Sequence, residues 1–222
     1  MRENNNKRAF VAGGVLLLAF AVWTWMVRHV DVQSVGVHGT AVGFASLNVW
    51  FHELTGVHMS LYTITDWLGL VPLAICLCFG TLGMTQLVRR GKITRVDSDI
   101  IILGVYYIAV IFAYLIFEMI PINYRPILID GYSEASYPSS TTLLVFSVMP
   151  TLSFQMNRRF CNKTLLNAVA AFCTLFSAFM VIGRLISGVH WCTDIIGAVL
   201  LSIGMFMLYR ASVGFADENA DR

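Results

Sequence analysis

Gly183-Arg184-Leu185-Ile186-Ser187-Gly188-Val189-His190-Trp191-Cys192-Thr193-Asp194 stands between two uncharged apolar runs, residues 165–182 and 195–209. Each run reads as a membrane-spanning helix, and the stretch between them as a polar turn at the membrane surface. Nowhere else do an Arg, a His and an Asp stand close together between two long apolar segments. His190 and Asp194 are four apart, so on a helix they share a face and the carboxylate can hold the imidazole. Asp194 would then fix the ring tautomer and stabilise the charge that grows if the other nitrogen attacks an electrophile. Arg184 adds a planar fork of donors suited to phosphate oxygens.

Composition carries the membrane reading to the whole chain. Of the 222 residues, 57% are hydrophobic and only 13% charged, and mean hydropathy is +0.71. That charge content is about half of what soluble domains carry, which excludes an ordinary soluble protein. A formal charge of +2 gives no reason to expect a nucleic-acid partner. The five cysteines, at 76, 78, 161, 173 and 192, show neither metal spacing nor a disulfide framework and read as small apolar fillers. His29, His38, His52 and His58 form no ligand pattern, so no metal site and no cofactor are expected.

Working outward, six spans are predicted, at about 9–27, 66–88, 99–120, 142–156, 165–182 and 195–209. The cleavage-like Ala19-Phe20-Ala21 lies inside the first apolar run, and Trp23 and Trp25 follow it where a cleaved leader would turn polar, so that run is read as a retained span. Phe44, Leu47, Trp50, Phe51 and Leu54 recur at helical spacing and predict a helix lying in the interface between spans one and two. Pro72 is expected to kink span two near its start. The chain is read as a single domain, 1–222, ending in a flexible cytoplasmic tail, 211–222, whose acidic end (217–222) is expected to be disordered.

Basic residues orient the spans. With the N-terminus inside, 12 of the 15 Lys and Arg fall on the cytoplasmic side, leaving Arg28, Arg125 and Arg184 outside. All five Trp fall toward that outer side. Both termini are therefore expected in the cytoplasm of a multi-pass cell-membrane protein. The Arg184–Asp194 stretch is expected on the extracytoplasmic face, joined there by the ends of spans three and four.

Arg184, five residues, His190, three residues, Asp194 is similar to the third signature of the type 2 phosphatidic acid phosphatase (PAP2) superfamily. The other two signatures have partial matches in the right places. Glu118, six residues, Arg125-Pro126 resembles the first, with Glu118 where that family has Lys. Pro138-Ser139-Ser140-Thr141 resembles the second, Pro-Ser-Gly-His, with Ser140 for Gly and Thr141 for His. The resemblance implies an all-α, six-transmembrane-helix bundle and metal-independent chemistry on a lipid phosphate or diphosphate. It implies His190 as the nucleophile of a phosphohistidine intermediate and Asp194 as its orienting partner. Arg125, Ser139, Ser140, Thr141 and Arg184 are the expected phosphate-binding residues.

The departures direct attention to the leaving group. In the family the second-signature His protonates the departing oxygen and then helps activate water, help worth roughly 10²–10⁴ in rate. Thr141 can donate a hydrogen bond but cannot shuttle a proton near neutral pH; capping span four with Ser139 and Ser140 is its expected role. A departing phosphate needs that help far less than a lipid alkoxide. A polyprenyl diphosphate on the outer leaflet, such as undecaprenyl diphosphate if the source is bacterial, is thus the expected substrate. Glu118 is either a charge that repels the phosphate unless Arg125 neutralises it, or a partial replacement for the missing acid/base group. Two other classes compete: a phosphotransferase passing phosphate to a lipid or sugar hydroxyl, and a non-catalytic member that only binds a lipid phosphate. An oriented imidazole argues against the pure binder, and the trio could also be only an interfacial polar cluster.

Overall fold

The computed structural model describes residues 2–220. Among them eight α-helices carry the chain: α1 (Arg2–His29), α2 (Ala45–Thr55), α3 (Met59–Leu68), α4 (Leu70–Arg90), α5 (Ser98–Met119), α6 (Ser140–Arg159), α7 (Lys163–Ile186) and α8 (Cys192–Ala220). Between them lie two short 3₁₀ turns, Val37–Gly39 and Ile93–Arg95, and isolated β-bridges. Five stretches are long and apolar enough to cross a membrane, Glu3–His29, Met59–Arg90, Ser98–Met119, Lys163–Ile186 and Cys192–Ala220.

The sixth expected span, α6, is the polar one. Its 20 residues reach about 30 Å, enough for a bilayer core. Its polar side chains face protein instead of lipid: Thr142, Ser147, Thr151 and Gln155 are all buried. Neighbouring helices satisfy the Thr151 and Gln155 side chains and the Ser147 carbonyl, as a low-dielectric surrounding demands, while the Thr142 and Ser147 hydroxyls have no partner. Tyr106 donates to the Ser147 carbonyl at 3.0 Å, Tyr107 and Thr151 hydroxyls meet at 2.7 Å, and Gln155 Nε2 donates to Tyr209 at 2.6 Å. The helix is also longer than predicted at both ends, taking in Ser140 and Thr141 at its start and Asn157, Arg158 and Arg159 at its end.

α1 and α8 run antiparallel and form the most extensive helix pair. Gly13 and Gly204 sit against Leu208 and Leu17, where a methyl group would crowd those side chains; small residues let membrane helices approach closely. The start of α1 and the end of α8 share one end of the bundle. There Asn6 donates to Glu218 at 2.9 Å, and Arg158 grips Asp217 while contacting Asp99 at 3.2 Å. The opposite end holds Trp23 Nε1 on the Thr193 carbonyl at 3.1 Å and the Thr24–Tyr137 hydroxyl pair at 2.7 Å.

Three expectations are corrected. The segment expected as a flexible tail continues α8 as far as Ala220, with Ala211 and Val213 buried and Asp217 and Glu218 bonded across the bundle; Asp221 and Arg222 lie outside the described residues. The first helix starts before residue 9, its polar opening turns held by the 2.7 Å Lys7–Glu3 ion pair and by Asn6. Span two is two helices, α3 and α4, parted at Gly69. Pro72 acts one turn upstream of itself there, since it has no N–H for the Leu68 carbonyl.

Candidate active site

The long segment between α5 and α6 folds back on itself at the end of the bundle remote from the termini. Arg125 N–H donates to the Glu134 carbonyl at 3.0 Å and Ser136 N–H to the Asn123 carbonyl at 2.9 Å. This brings Asn123, Arg125, Glu134 and Ser136 beside the start of α6. Ser139 N–H donates to the Asp194 carbonyl at 3.2 Å, tying the start of α6 to the start of α8.

His190 does not lie on a helix. It sits in the turn between α7 and α8, so the four-residue spacing to Asp194 does not act through a shared helical face. Asp194 is instead the third residue of α8, and its Oδ2 reaches back to the Trp191 N–H at 2.9 Å. That is the reciprocal half of a capping box, placing a carboxylate where the helix N-terminus favours negative charge. Gly188 shapes the turn: its φ is +70°, and a side chain there would collide with the Gly56 carbonyl. Any other residue would be strained and would push the turn off the α2–α3 junction.

Between the two partners stands Ser136. His190 Nδ1 and Asp194 Oδ2 are 3.7 Å apart, while Ser136 Oγ lies 3.2 Å from the same Nδ1 and donates closely to the same Oδ2. With the proton on Nδ1, the chain runs from imidazole N–H to serine hydroxyl to carboxylate. Nε2 then keeps its lone pair. Asn123 Nδ2 adds a 3.4 Å contact to Asp194 Oδ1, and Asp194 is fully buried. Burial lowers the His190 pKa to about 4, and the Arg125 and Arg184 charges act in the same direction against Asp194. The ring is therefore neutral and nucleophilic at physiological pH.

The two arginines converge on this imidazole from α7 and from the α5–α6 segment. Arg184 is 2% exposed and Arg125 7%. Tyr62 of α3 lies under both guanidinium groups, 4.8 Å from Arg184 and 5.8 Å from Arg125, a cation–π arrangement that fixes their planes. Each also meets one carboxylate. Arg184 Nη2 donates to Asp66 Oδ1 at 3.0 Å and, more closely, to Thr141 Oγ1. Arg125 Nε is 3.0 Å from Glu134 Oε2, but its N–H is not aligned for a hydrogen bond.

Several of the most buried polar atoms have no hydrogen-bond partner: His190 Nε2, Nε and Nη1 of both arginines, and Ser139 Oγ. Folded proteins rarely leave buried polar groups unsatisfied, and each such group calls for an explanation. Five are donors with positive or partial positive charge and one is a nucleophilic nitrogen. That set matches a tetrahedral oxyanion with its central atom presented to Nε2.

The remaining expected residues separate. Ser139 occupies the N-cap position of α6 but makes no side-chain cap, and Thr141 serves Arg184, so the capping role expected of this run is not seen. Ser140 is half-buried and lines a 240 Å³ cavity with Glu118, Arg125, Glu134 and Ser136. Glu118 is exposed at the last turn of α5 and makes no hydrogen bond or ion pair with the trio. Glu118→Gln is therefore expected to leave kcat and its pH profile unchanged, while removal of an exposed negative charge near the cavity lowers KM for an anionic substrate by up to about fivefold. A tenfold fall in kcat would return Glu118 to the chemistry.

Ser136, Asn123, Tyr62, Asp66 and Glu134 were not singled out from the sequence, nor was Asn48. The buried Asn48 side chain holds α2 to the start of α8, donating to Thr193 Oγ1 at 3.0 Å and accepting from Cys192 Sγ at 3.0 Å. The one available signal was position: Ser136 is two residues before Pro138, and Tyr62 and Asp66 are four apart on one helix. Among the described residues, no group of three His, Cys, Asp or Glu is placed to hold a metal ion.

The PAP2 superfamily model matches residues 101–217, more than half of the chain and the part that contains the Arg125, Ser139, Arg184 and His190 segments. The protein belongs to the PAP2 superfamily. Among solved structures it is similar to one described as the first transmembrane PAP2 type phosphatidylglycerolphosphate phosphatase from Bacillus subtilis, with 16% identity and a TM-score of 0.65 over 93% of this chain and 96% of that one. At that identity the likeness speaks for the fold, a multi-pass helical membrane bundle. No match is found among curated proteins.

Proposed function

We propose that the protein is a membrane lipid phosphatase that works through a phosphohistidine on His190 and favours a polyprenyl diphosphate over a phosphate monoester. The observation that carries this reading is the set of unpartnered buried donors around an unpartnered imidazole nitrogen. Arg125, Arg184 and Ser139 would take the oxygens of the terminal phosphate. His190 Nε2 attacks phosphorus, the bond to the leaving oxygen breaks, and that oxygen departs with the electron pair. The imidazole becomes cationic, and its Nδ1 proton is held through Ser136 by Asp194. Electrostatic complementarity to developing charge is commonly the largest catalytic contribution.

Preference for a diphosphate follows from what touches the leaving side. Thr141 is engaged by Arg184 and no titratable acid stands beside it except a carboxylate already held by the same guanidinium. A leaving phosphate, with a second pKa of about 6, departs without a proton donor; a lipid alkoxide does not. The distribution of basic residues supports the cytoplasm for the end that holds the termini and the outer leaflet for the site, with undecaprenyl diphosphate as a fitting outer-leaflet lipid. The test is phosphate release by purified protein from farnesyl or undecaprenyl diphosphate and from phosphatidate. The diphosphates should be turned over at least tenfold faster in kcat/KM; equal or better turnover of phosphatidate overturns the preference.

A further inference from the structure

Breakdown of a phosphohistidine by water is helped by a base that takes the proton from water. Four carboxylates surround the site. Asp194 lies behind the ring, and its Oδ2 already accepts two hydrogen bonds. Glu118 touches none of the phosphate-binding groups. Glu134 stands against Arg125 Nε, a nitrogen the phosphate itself would engage. Asp66 differs from all three. Its Oδ1 takes Arg184 Nη2 at 3.0 Å and leaves Arg184 Nε and Nη1 free for phosphate. Carboxylate and phosphate can therefore share one guanidinium without displacing each other.

Asp66 is also held in place from behind. Gly183, just before Arg184, lies where a methyl group would come within 2.7 Å of Thr65, and Thr65 is fully buried. The missing side chain lets α3 press onto α7 and carries Asp66 to Arg184. Tyr62, one turn earlier on α3, lies against the same guanidinium at 4.8 Å. Yet the Asp66 side chain remains 58% exposed, and its Oδ2 accepts no hydrogen bond. It combines attachment to Arg184 with an oxygen left uncovered by protein, and unlike Glu134 it occupies no nitrogen that the phosphate would engage.

On the phosphatase reading, we infer that Asp66 is the general base for the second half-reaction. Water lying between Oδ2 and phosphorus gives its proton to Asp66 as its oxygen bonds to phosphorus. The P–N bond to His190 Nε2 breaks and its electron pair returns to the ring. Asp66 then releases the proton to solvent. The first half-reaction asks nothing of Asp66, provided the leaving group is a phosphate.

Asp66→Asn separates these steps, because the amide oxygen still accepts from Arg184 but cannot take a proton. The probe is farnesyl diphosphate carrying ³²P in its terminal phosphate, mixed with protein in detergent micelles and quenched in alkali. Wild-type protein should show turnover with little standing label. Asp66→Asn should turn over about 10²–10³-fold more slowly, yet release a burst of about one equivalent of farnesyl phosphate and hold a matching amount of label on His190. Asp66→Glu, which keeps a carboxylate, should recover part of the rate. Asp66→Asn turnover within threefold of wild type overturns the inference, as does loss of the burst together with the steady-state rate, which would leave Asp66 only positioning Arg184. Wild-type protein that neither labels nor turns over any diphosphate overturns the phosphatase reading itself.

Discussion

His190→Ala is expected to reduce turnover by about 10⁴–10⁶-fold, as loss of a nucleophile does when the rest of a site survives, and to abolish labelling of the protein by ³²P substrate. The substitution removes the atom proposed to bond to phosphorus, and no second nucleophile stands ready. Ser136 Oγ is the nearest hydroxyl, but it is committed to Asp194 and lies on the Nδ1 side of the ring. Binding should survive, because Arg125, Arg184 and Ser139 keep their free donors; a non-hydrolysed diphosphate analogue should still bind the variant within about tenfold of wild type. The pH profile gives a second reading. Burial lowers the imidazole pKa to about 4, so the neutral nucleophile persists as pH falls through the ordinary histidine range. The acid limb of wild-type kcat/KM should therefore lie below pH 6. Retention of more than 1% of turnover in His190→Ala would remove the covalent mechanism.

Asp194→Asn is expected to cost about 10³–10⁴ in kcat, the scale seen when the orienting carboxylate of a nucleophile–histidine–carboxylate system is neutralised. The variant retains shape but loses the negative charge that balances the cationic phosphoimidazole. It also brings an N–H₂ group into a space where Ser136, Trp191 and Asn123 all offer donors to Asp194. Whichever way the amide turns, at least one of those donors loses its acceptor or faces another donor. Disrupting hydrogen bonds to a buried charge costs about 1.5–3 kcal/mol, and a protein of this size loses roughly 2–4 °C in Tm per kcal/mol. A thermal melt in detergent should thus fall by about 3–12 °C while the helical signal at low temperature stays intact. A drop in Tm with turnover retained within tenfold would make Asp194 a helix cap and nothing more.

The two variants together distinguish a working site from an interfacial polar cluster. In a cluster both substitutions would act on stability alone. In the proposed site His190→Ala acts mainly on chemistry, whereas Asp194→Asn acts on chemistry and stability together, since Asp194 both faces His190 and closes the first turn of α8.

Membrane spans were readable because lipid selects them by composition, so five apolar stretches announced themselves without any knowledge of their neighbours. α6 was harder: its Ser, Thr and Gln residues look unsuited to a bilayer until Tyr106, Tyr107 and Tyr209 are seen to satisfy part of them. The end of α8 was misread for a related reason. Acidic residues at a chain end suggest disorder, but Arg158 and Asn6 lie 59 and 212 residues away in sequence, and no local pattern reveals them.

For the site, the chain by itself picked out the proposed nucleophile, its carboxylate and the two arginines, because Arg184, His190 and Asp194 lie within one short segment and Arg125 within a recognisable Arg-Pro. Only the tertiary structure decided how they are held. Ser136 enters between His190 and Asp194 from 54 residues away, and Asp66 reaches Arg184 across 118. Single Ser and Asp residues in turns and on short helices carry no periodic signal, and their roles depend on which buried donor the packing of distant segments brings within 3 Å.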